Sequence, residues 1–269
     1  NFKGNKNENK QKKRLKKKKN RKQEELFFGE GVKGVQELLD SNFELYELFT
    51  TKKDFLSIDR SKVNAVTDDE LKKISALITP NSCLAIFKIP TVVSFEQKGL
   101  LIALDNIRDP GNLGTIIRLC DWFGIKTLFC TEETVDIYNP KVVQATMGSI
   151  GRVNVVYGDL DKLLAETKLP IFGTFMDGKN IYKANLPNEG IIVMGNEANG
   201  ISKTIEKLVS DRLAIPRFGD LQATESLNVA TATAIILRYW TQGTLVYRKR
   251  EKEFLQFLYW GKKNSYLTI

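Results

Sequence analysis

The feature that most constrains the fold is an alternation of short apolar runs with amphipathic segments, from Leu100 to about residue 240. "LLIALD", "KTLFC", "RVNVVYG", "PIFGTFM", "GIIVMG" and "RLAIPRFG" are typical of buried strands. "LGTIIRLCDWFG", "NPKVVQATMGSI", "DLDKLLAETK" and "SLNVATATAIILRYW" have helical periodicity. Strands that alternate with helices predict a parallel sheet covered on both faces. Because ligands of such sheets bind beyond the carboxyl ends of the strands, we expect the functional residues in the loops that follow them.

A smaller α/β unit precedes this region. "ELFFGEGVKGVQELLDS" predicts a strand, a turn and a helix, and "FELYELFTT" and "CLAIFKI" predict two more strands. "TDDELKKISALI" predicts a helix, since Thr67 and Glu70 have capping-box spacing, and its apolar face would include Leu71, Ile74 and Ile78. We therefore predict a domain at residues 23–93, the linker "PTVVSFEQKG" and a larger domain at residues 98–240.

The charge is concentrated at the ends of the chain. The net charge is +9, yet residues 1–22 alone contain twelve Lys and Arg and a single acid, Glu8. A block of like charges predicts a disordered arm, here residues 1–22, and its electrostatics suit a polyanion such as a nucleic acid. Residues 241–269 are also basic and form a tail with no clear pattern. The region between the two ends is mildly acidic.

Composition excludes several classes of chemistry. The chain has no histidine, which removes the usual general base and argues against zinc sites and histidine-based triads. Its three cysteines form no CxxC pair, and an odd number argues against a disulfide framework. No apolar run reaches the roughly 20 residues of a membrane span, and the polar start of the chain is unlike a secretory signal. We expect a reduced, cytoplasmic protein with no metal and no membrane partner.

Three loops follow predicted strands and contain unusual polar residues. In the first, "DNIRDPGNLGTIIR", Asp109 to Asn112 have the composition of a type II turn, and Asn112 is suited to cap the next helix. Arg118 lies opposite the apolar face of that helix, so it points to solvent, a ligand or a partner chain. A solvated charge is the simpler of these interpretations.

The second loop, "GNEANGIS", has the Gly-x-x-x-x-Gly spacing of a phosphate-binding P-loop. Ile201, however, stands where a P-loop needs lysine, and Glu197 would repel phosphates. A cationic or zwitterionic ligand is therefore the better match. The alternative is a glycine-rich turn in which Glu197 interacts favourably with the dipole of the next helix.

The third loop, "IPRFGDLQATESLNVATATAIIL", leads into a helix rich in Ala and Thr. Ser226 and Asn228 lie at its start, and small side chains along it allow another helix to approach closely. The alternative is simple capping, with Thr224 or Ser226 satisfying the free amides of the first turn.

Taken together, "DPGNLGTIIR", "GNEANGIS" and "IP…ESLNVATATA" resemble the three motifs of the SpoU (TrmH-type) RNA ribose 2′-O-methyltransferases of the SPOUT superfamily. The upstream unit more loosely resembles the ribosomal-protein-like substrate-binding domain of that family. The resemblance implies a parallel-sheet SPOUT fold with a C-terminal deep trefoil knot. It also implies S-adenosylmethionine as cofactor, an RNA substrate and a homodimer with its sites at the interface.

The resemblance also implies roles for individual residues. Asn112 and Arg118 would lie near the ribose and phosphate, with Glu197, Ser226 and Asn228 completing the catalytic set. The adenosine part of the cofactor would be held by groups around Thr174, Gly195, Asn196, Ile215 and Leu227. Arg118 is the family's favoured candidate for activating the 2′-hydroxyl. A nearby RNA phosphate or Glu197 could take the proton instead, and the sequence leaves all three open.

The function implied is S-adenosylmethionine-dependent methyl transfer to a ribose 2′-hydroxyl in rRNA or tRNA. One alternative is an RNA-binding protein that keeps the fold without catalysis, and another is a nucleotide-hydrolysing P-loop enzyme, which Ile201 disfavours. The chain departs from the family pattern in the six residues between Gly219 and Ser226 and in the sequence after Leu237. A closing helix that stopped at Tyr239 would weaken cofactor binding.

Overall fold

The computed structural model describes residues 14–52, 58–91, 95–219 and 226–242. Its first domain is a four-stranded sheet of strand order β1-β4-β2-β3, in which β4 is antiparallel to β1 and β2, and β3 is a short parallel edge strand. The strands are β1 (Leu26–Glu30), β2 (Leu45–Thr50), β3 (Val63–Ala65) and β4 (Cys83–Lys88). The helices are α1 (Lys18–Glu24), α2 (Val32–Leu39) and α3 (Asp68–Ile74). The three residues of β3 are too few to give a periodic signal, and the sequence did not predict this strand.

Helix α3 confirms one prediction and corrects another. The capping box is present, with the Thr67 hydroxyl and the Glu70 carboxylate each accepting a backbone N–H of the other residue. The helix ends at Ile74, however, and Ile78 is 98% exposed, so its predicted place on the buried face is wrong. The chain leaves the helix because Glu30 accepts hydrogen bonds from the Ser75 hydroxyl and from the Ala76 amide, the latter at 2.7 Å.

The start of the chain differs from the predicted disordered arm over residues 14–22. Leu15 packs in the core beside Phe28, and Arg21 is only 2% exposed. The Arg21 guanidinium donates to the Asp136 carboxylate at 2.5 and 3.0 Å and to the Leu15 carbonyl at 2.7 Å. The lysines of α1 remain exposed, so this basic segment is an amphipathic helix. Its Arg21 links the first domain to Asp136 of the second. Residues 1–13 lie outside the described part of the chain.

The second domain is a six-stranded sheet that is wholly parallel, as predicted, and its strand order is β10-β8-β9-β5-β6-β7. Its strands are β5 (Leu100–Leu104), β6 (Thr127–Cys130), β7 (Asn154–Tyr157), β8 (Ile171–Asn180), β9 (Gly190–Met194) and β10 (Asp211–Ala214). Its helices are α4 (Pro110–Trp122), α5 (Pro140–Thr146), α6 (Leu160–Glu166), α7 (Lys203–Glu206) and α8, residues 229–242. Within the described ranges no helix is both long and apolar enough to cross a bilayer.

The two central strands determine where the loops meet. All residues of β9 and all but the first of β5 are buried, and Leu104 lies directly opposite Met194 at the ends of these strands. The loops that follow β5 and β9 therefore begin side by side at one edge of the sheet. A hydrogen bond of 2.9 Å from the Asp105 amide to the Met194 carbonyl extends the pairing into them.

Candidate active site

The first loop ends in a helix cap. Asp109, rather than Asn112, is the N-cap of α4, and its carboxylate accepts a 2.7 Å hydrogen bond from the Asn112 amide N–H. Pro110 occupies the first helical position, where its fixed φ and missing N–H suit a helix better than the predicted type II turn. The predicted capping role of Asn112 is therefore wrong. Its side-chain amide is free to reach across to the other loops.

The second loop closes on itself. Asn196 and Gly200 exchange two backbone hydrogen bonds of 2.9 Å, and a Cβ on Gly195 would lie 2.3 Å from the Gly200 carbonyl carbon, so only glycine fits at position 195. The buried Asn196 side chain donates to the Asn106 carbonyl at 2.6 Å, which joins this loop to the first. The Ser202 amide donates to the carboxylate of buried Asp105 at 2.7 Å and fixes the other end of the loop.

The third loop ends at Asn228, which caps α8. The Asn228 Oδ1 accepts hydrogen bonds from the amides of Ala230 (3.0 Å) and Thr231 (3.2 Å). The alternative that Ser226 caps this helix is therefore wrong, and Thr224 lies outside the described residues. Helix α8 continues to residue 242, beyond the point at Tyr239 where an early end would have mattered.

A chain of side-chain hydrogen bonds connects the three loops. Asn228 Nδ2 donates to Asn112 Oδ1 at 2.8 Å, and Asn112 Nδ2 donates to Glu197 Oε1 at 3.0 Å. The Glu197 carboxylate also accepts the amides of Arg108 and Asp109, each at 3.4 Å. The structure thus brings together three of the predicted catalytic residues, one from each loop.

Beside this chain lies a cavity of about 1080 Å³. Its lining includes Glu197 and Ser226 and all five residues predicted to bind cofactor, which are Thr174, Gly195, Asn196, Ile215 and Leu227. Apolar side chains, among them Ile181, Met194 and Ile236, form much of the wall. A large, mostly apolar cavity with a few polar groups is typical of small-molecule sites. Its lining contains the carboxylates of Glu197 and Glu206 and the guanidinium groups of Arg212 and Arg217. Because the wall carries both signs of charge, it suits a zwitterionic ligand better than a triphosphate.

Comparison with known proteins identifies the family. A model of the SpoU rRNA methylase family matches residues 99–238, and a model of the MRM3-like substrate binding domain matches residues 6–85. The chain belongs to the SpoU rRNA methylase family. Among solved structures, a protein from Porphyromonas gingivalis assigned to the TrmH family of RNA methyltransferases is 35% identical, with a TM-score of 0.80 over 88% of this chain and 97% of that one.

Further relatives of this chain are also named as rRNA methyltransferases. An rRNA methyltransferase from Sinorhizobium meliloti, solved with bound AdoMet, has a TM-score of 0.77 and 26% identity over 87% of this chain and 94% of that one. The 23S rRNA (guanosine(2553)-2′-O)-methyltransferase RlmP of Bacillus subtilis is 29% identical over 177 residues, which are 64% of this chain and 69% of that protein. RlmB of Neisseria meningitidis, a 23S rRNA (guanosine-2′-O-)-methyltransferase, is 32% identical over 54% of this chain and 58% of its own length. The predicted SPOUT-type fold is thus confirmed, whereas the trefoil knot stays a prediction.

Arg118, the remaining residue of the predicted catalytic set, does not line this cavity within one chain. It is exposed on α4 and lines a second groove, of about 710 Å³, between α4 and α8. Trp122, which is 83% exposed, and Tyr239 line the same groove. Among the residues the structure describes, Arg118 has no hydrogen-bond or ion-pair partner. The predicted outward direction of its side chain is confirmed, whereas its role in catalysis stays a prediction.

Two groups at the site were missed by sequence reasoning. Asp105 was assigned only to the end of a strand, although an acid directly after an apolar run is a signal that could have identified it. Arg212 lines the cavity with its guanidinium 3.6 Å above the centre of the Phe175 ring, and it forms 2.5 Å ion pairs with Asp177 and Glu206. Arg212 could not have been found from the sequence, because its contacts depend on how β8 pairs with β10. In the described ranges no three of Cys, Asp and Glu are grouped as metal ligands would be.

Proposed function

We propose that this chain catalyses methyl transfer from S-adenosylmethionine to a ribose 2′-hydroxyl of ribosomal RNA. The observation that carries the proposal is the hydrogen-bond chain Asn228–Asn112–Glu197, which joins three separate loops beside a cavity of about 1080 Å³. Membership of the SpoU family and the rRNA specificity of its curated relatives support it.

The cavity is suited to hold S-adenosylmethionine, which when bound supplies an electrophilic methyl group on sulfur. Thr174, Gly195, Asn196, Ile215 and Leu227 would hold its adenosine part, largely through main-chain groups. The Thr174 hydroxyl donates to the Val193 carbonyl at 3.2 Å, which fixes this side chain at the cavity wall. The apolar wall excludes water and so favours transfer to the RNA over transfer to solvent.

In the reaction, the 2′-oxygen forms a bond to the methyl carbon as the carbon–sulfur bond breaks, and the hydroxyl loses its proton. Such a displacement depends on close alignment, which the rigid capped helices and linked loops provide. Glu197 accepts hydrogen bonds from three donors, which favours a role in holding the first loop over a role as base. Arginine stays charged and cannot readily accept a proton. We therefore assign the proton to a neighbouring RNA phosphate, with Arg118 orienting that phosphate.

This assignment requires Arg118 to approach a cavity that it does not reach within its own chain. A homodimer in which a second copy covers the α4–α8 groove would bury Trp122 and place Arg118 beside the partner's cavity. The small residues of α8 suit such close packing.

We expect the exposed lysines of α1 and the basic residues before it to contact the RNA backbone. Three free, buried cysteines suit a reducing compartment, and we place the protein in the cytoplasm.

The dimeric site can be tested by mixing two nearly inactive variants. Arg118→Ala and Asn228→Ala would each keep about a hundredth of the wild-type activity or less when assayed alone. If Arg118 acts across the interface, co-refolded mixtures contain heterodimers with one intact site and recover part of the wild-type rate. Mixtures that form heterodimers yet stay inactive would contradict action across the interface. Trp122→Glu should give monomers by analytical ultracentrifugation.

The function itself is tested by incubating the chain with methyl-labelled S-adenosylmethionine and unmodified rRNA, with tRNA in parallel, followed by alkaline hydrolysis. Because a 2′-O-methyl group blocks cleavage of the adjacent phosphodiester, we expect label in alkali-resistant dinucleotides from rRNA. RNA binding without any label would instead support the alternative, a SpoU-family RNA-binding protein without catalysis. Calorimetric titration with S-adenosylmethionine separates the two further, since only the enzyme needs the cofactor.

A further inference from the structure

Three exposed apolar side chains lie around the mouth of the cofactor cavity. Met176 is 58% exposed, Leu227 is 49% exposed, and both line the cavity. Phe218 is 83% exposed, and the residues on either side of it, Arg217 and Gly219, line the same cavity. A group of exposed apolar side chains next to one cavity is typical of a binding surface.

The position of Arg217 gives this surface its charge. Its guanidinium lies 3.9 Å from the Met176 sulfur, so the charged group lies beside this exposed side chain of the cavity lining. Phe218, Met176 and Arg217 together present an aromatic face, a polarisable side chain and a positive charge. This combination matches a nucleobase with its phosphate, because bases stack on aromatic rings while cations neutralise the backbone.

The proposed reaction places a nucleobase at this mouth. The acceptor hydroxyl must lie at the opening of the cavity to reach a methyl group inside it, and the base is attached to the same ribose. A nucleotide whose sugar enters the site loses the stacking partners it had in the RNA, which costs free energy. An exposed ring beside the opening would recover part of that cost. Phe218 is not among the residues that line the α4–α8 groove containing Trp122.

We propose that Phe218 is the residue on which the base of the target nucleotide, or of its immediate neighbour, stacks as the ribose enters the site. The inference rests on the proposed methyl transfer to RNA and adds to it the group that positions the substrate. Phe218 is thus a substrate-positioning residue. Stacking requires only an aromatic face, so Phe218 would tolerate different bases and contribute to affinity more than to sequence choice.

The test compares Phe218→Ala, Phe218→Leu and Phe218→Trp with the wild type. Each protein is assayed for kcat/KM of methyl transfer to the RNA that the labelling experiment identifies, and for affinity for S-adenosylmethionine. Loss of base stacking should lower kcat/KM by about 5- to 150-fold in the Ala variant, and nearly as much in the Leu variant, while Trp retains the wild-type value. Cofactor affinity should be the same in all four proteins, which also shows that the variants are folded.

Wild-type kcat/KM in Phe218→Ala would overturn the proposal, as would a Leu variant as active as the wild type, because leucine is apolar but cannot stack. A parallel loss of cofactor affinity would assign Phe218 to the cofactor cavity and also overturn it. If the wild type methylates no RNA, the proposed function fails and the stacking is tested by binding alone. The probes are then a fluorescent nine-nucleotide oligoadenylate and an abasic strand of equal length. Phe218→Ala should weaken binding of the first only, and equal effects on both strands would refute stacking.

Discussion

Asn228 performs two tasks with two different atoms, and substitutions can separate them. Its Oδ1 caps α8 through the amides of Ala230 and Thr231, while its Nδ2 donates to Asn112 and completes the link to Glu197. Asn228→Ala removes both interactions. Asn228→Asp keeps the capping oxygen but cannot donate to Asn112. Asn139, which caps α5 through a 2.9 Å hydrogen bond from the Lys141 amide, provides a matched control outside the site.

The expected magnitudes follow from these hydrogen bonds. Loss of an N-cap costs about 1 kcal/mol of unfolding free energy, and loss of one neutral hydrogen bond costs about 1 kcal/mol. Asn228→Ala should therefore lower the unfolding free energy by about 2 kcal/mol, and Asn139→Ala by about 1 kcal/mol. Asn228→Asp should lose about 1 kcal/mol or less, since aspartate caps as well as asparagine. The reaction rate should not follow stability across these variants, because only the Asn228 substitutions remove the hydrogen bond to Asn112 that ties the first loop to the third.

Urea unfolding monitored by circular dichroism gives the stabilities, and labelled methyl transfer gives the rates. We expect both Asn228 variants to lose about 100-fold in rate, the scale of a reacting group misplaced by about 1 Å, while Asn139→Ala keeps the wild-type rate. A fully active Asn228→Asp would refute the role of the Asn112 link. Equal losses of rate in Asn139→Ala and Asn228→Ala would show that activity merely follows stability.

Three further predictions concern other parts of the chain. Arg118→Ala should lower kcat by about 100-fold or more with cofactor affinity unchanged by calorimetry, because Arg118 lies outside the cofactor cavity; a large loss of affinity would contradict this. Deleting residues 1–13, which spares the buried Arg21, should weaken RNA binding. In a plot of the logarithm of the binding constant against the logarithm of the salt concentration, the slope should become shallower by about 0.7–0.9 for each phosphate that the protein no longer neutralises. An unchanged slope would exclude these residues from binding. Burial raises the pKa of Cys83 to about 11 and that of Cys120 to about 12, so neither thiol should react with Ellman's reagent at pH 8 before the protein unfolds, and fast reaction of the native protein would contradict their burial.

The sequence predicted the second domain well because its signals are local. Each strand of the parallel sheet is a short apolar run ended by polar residues, and the loops with unusual residues follow β5, β9 and β10 as expected. The register of β5 against β9 then brings two of these loops together. The third joins them through Asn228, whose place in the site was implied by resemblance and not by periodicity.

What the sequence did not predict depends on tertiary contacts. The buried pair of Arg21 and Asp136 joins residues 115 positions apart, and without that partner the basic segment looks like a solvated arm. Helix α3 ends early because Glu30, at the end of β1 in the same domain, accepts hydrogen bonds from Ser75 and Ala76. The cap of α4 was misassigned because Asp109 and Asn112 both suit that position, and only the geometry of Pro110 decides between them.

The decisive experiment is a crystal structure of the protein with S-adenosylmethionine. We expect cofactor density in the cavity lined by Thr174, Gly195, Ile215 and Leu227, with the methyl group directed toward the side where Glu197 holds Asn112. Density at another surface would refute the proposed site, and so would a cavity that stays empty at saturating cofactor.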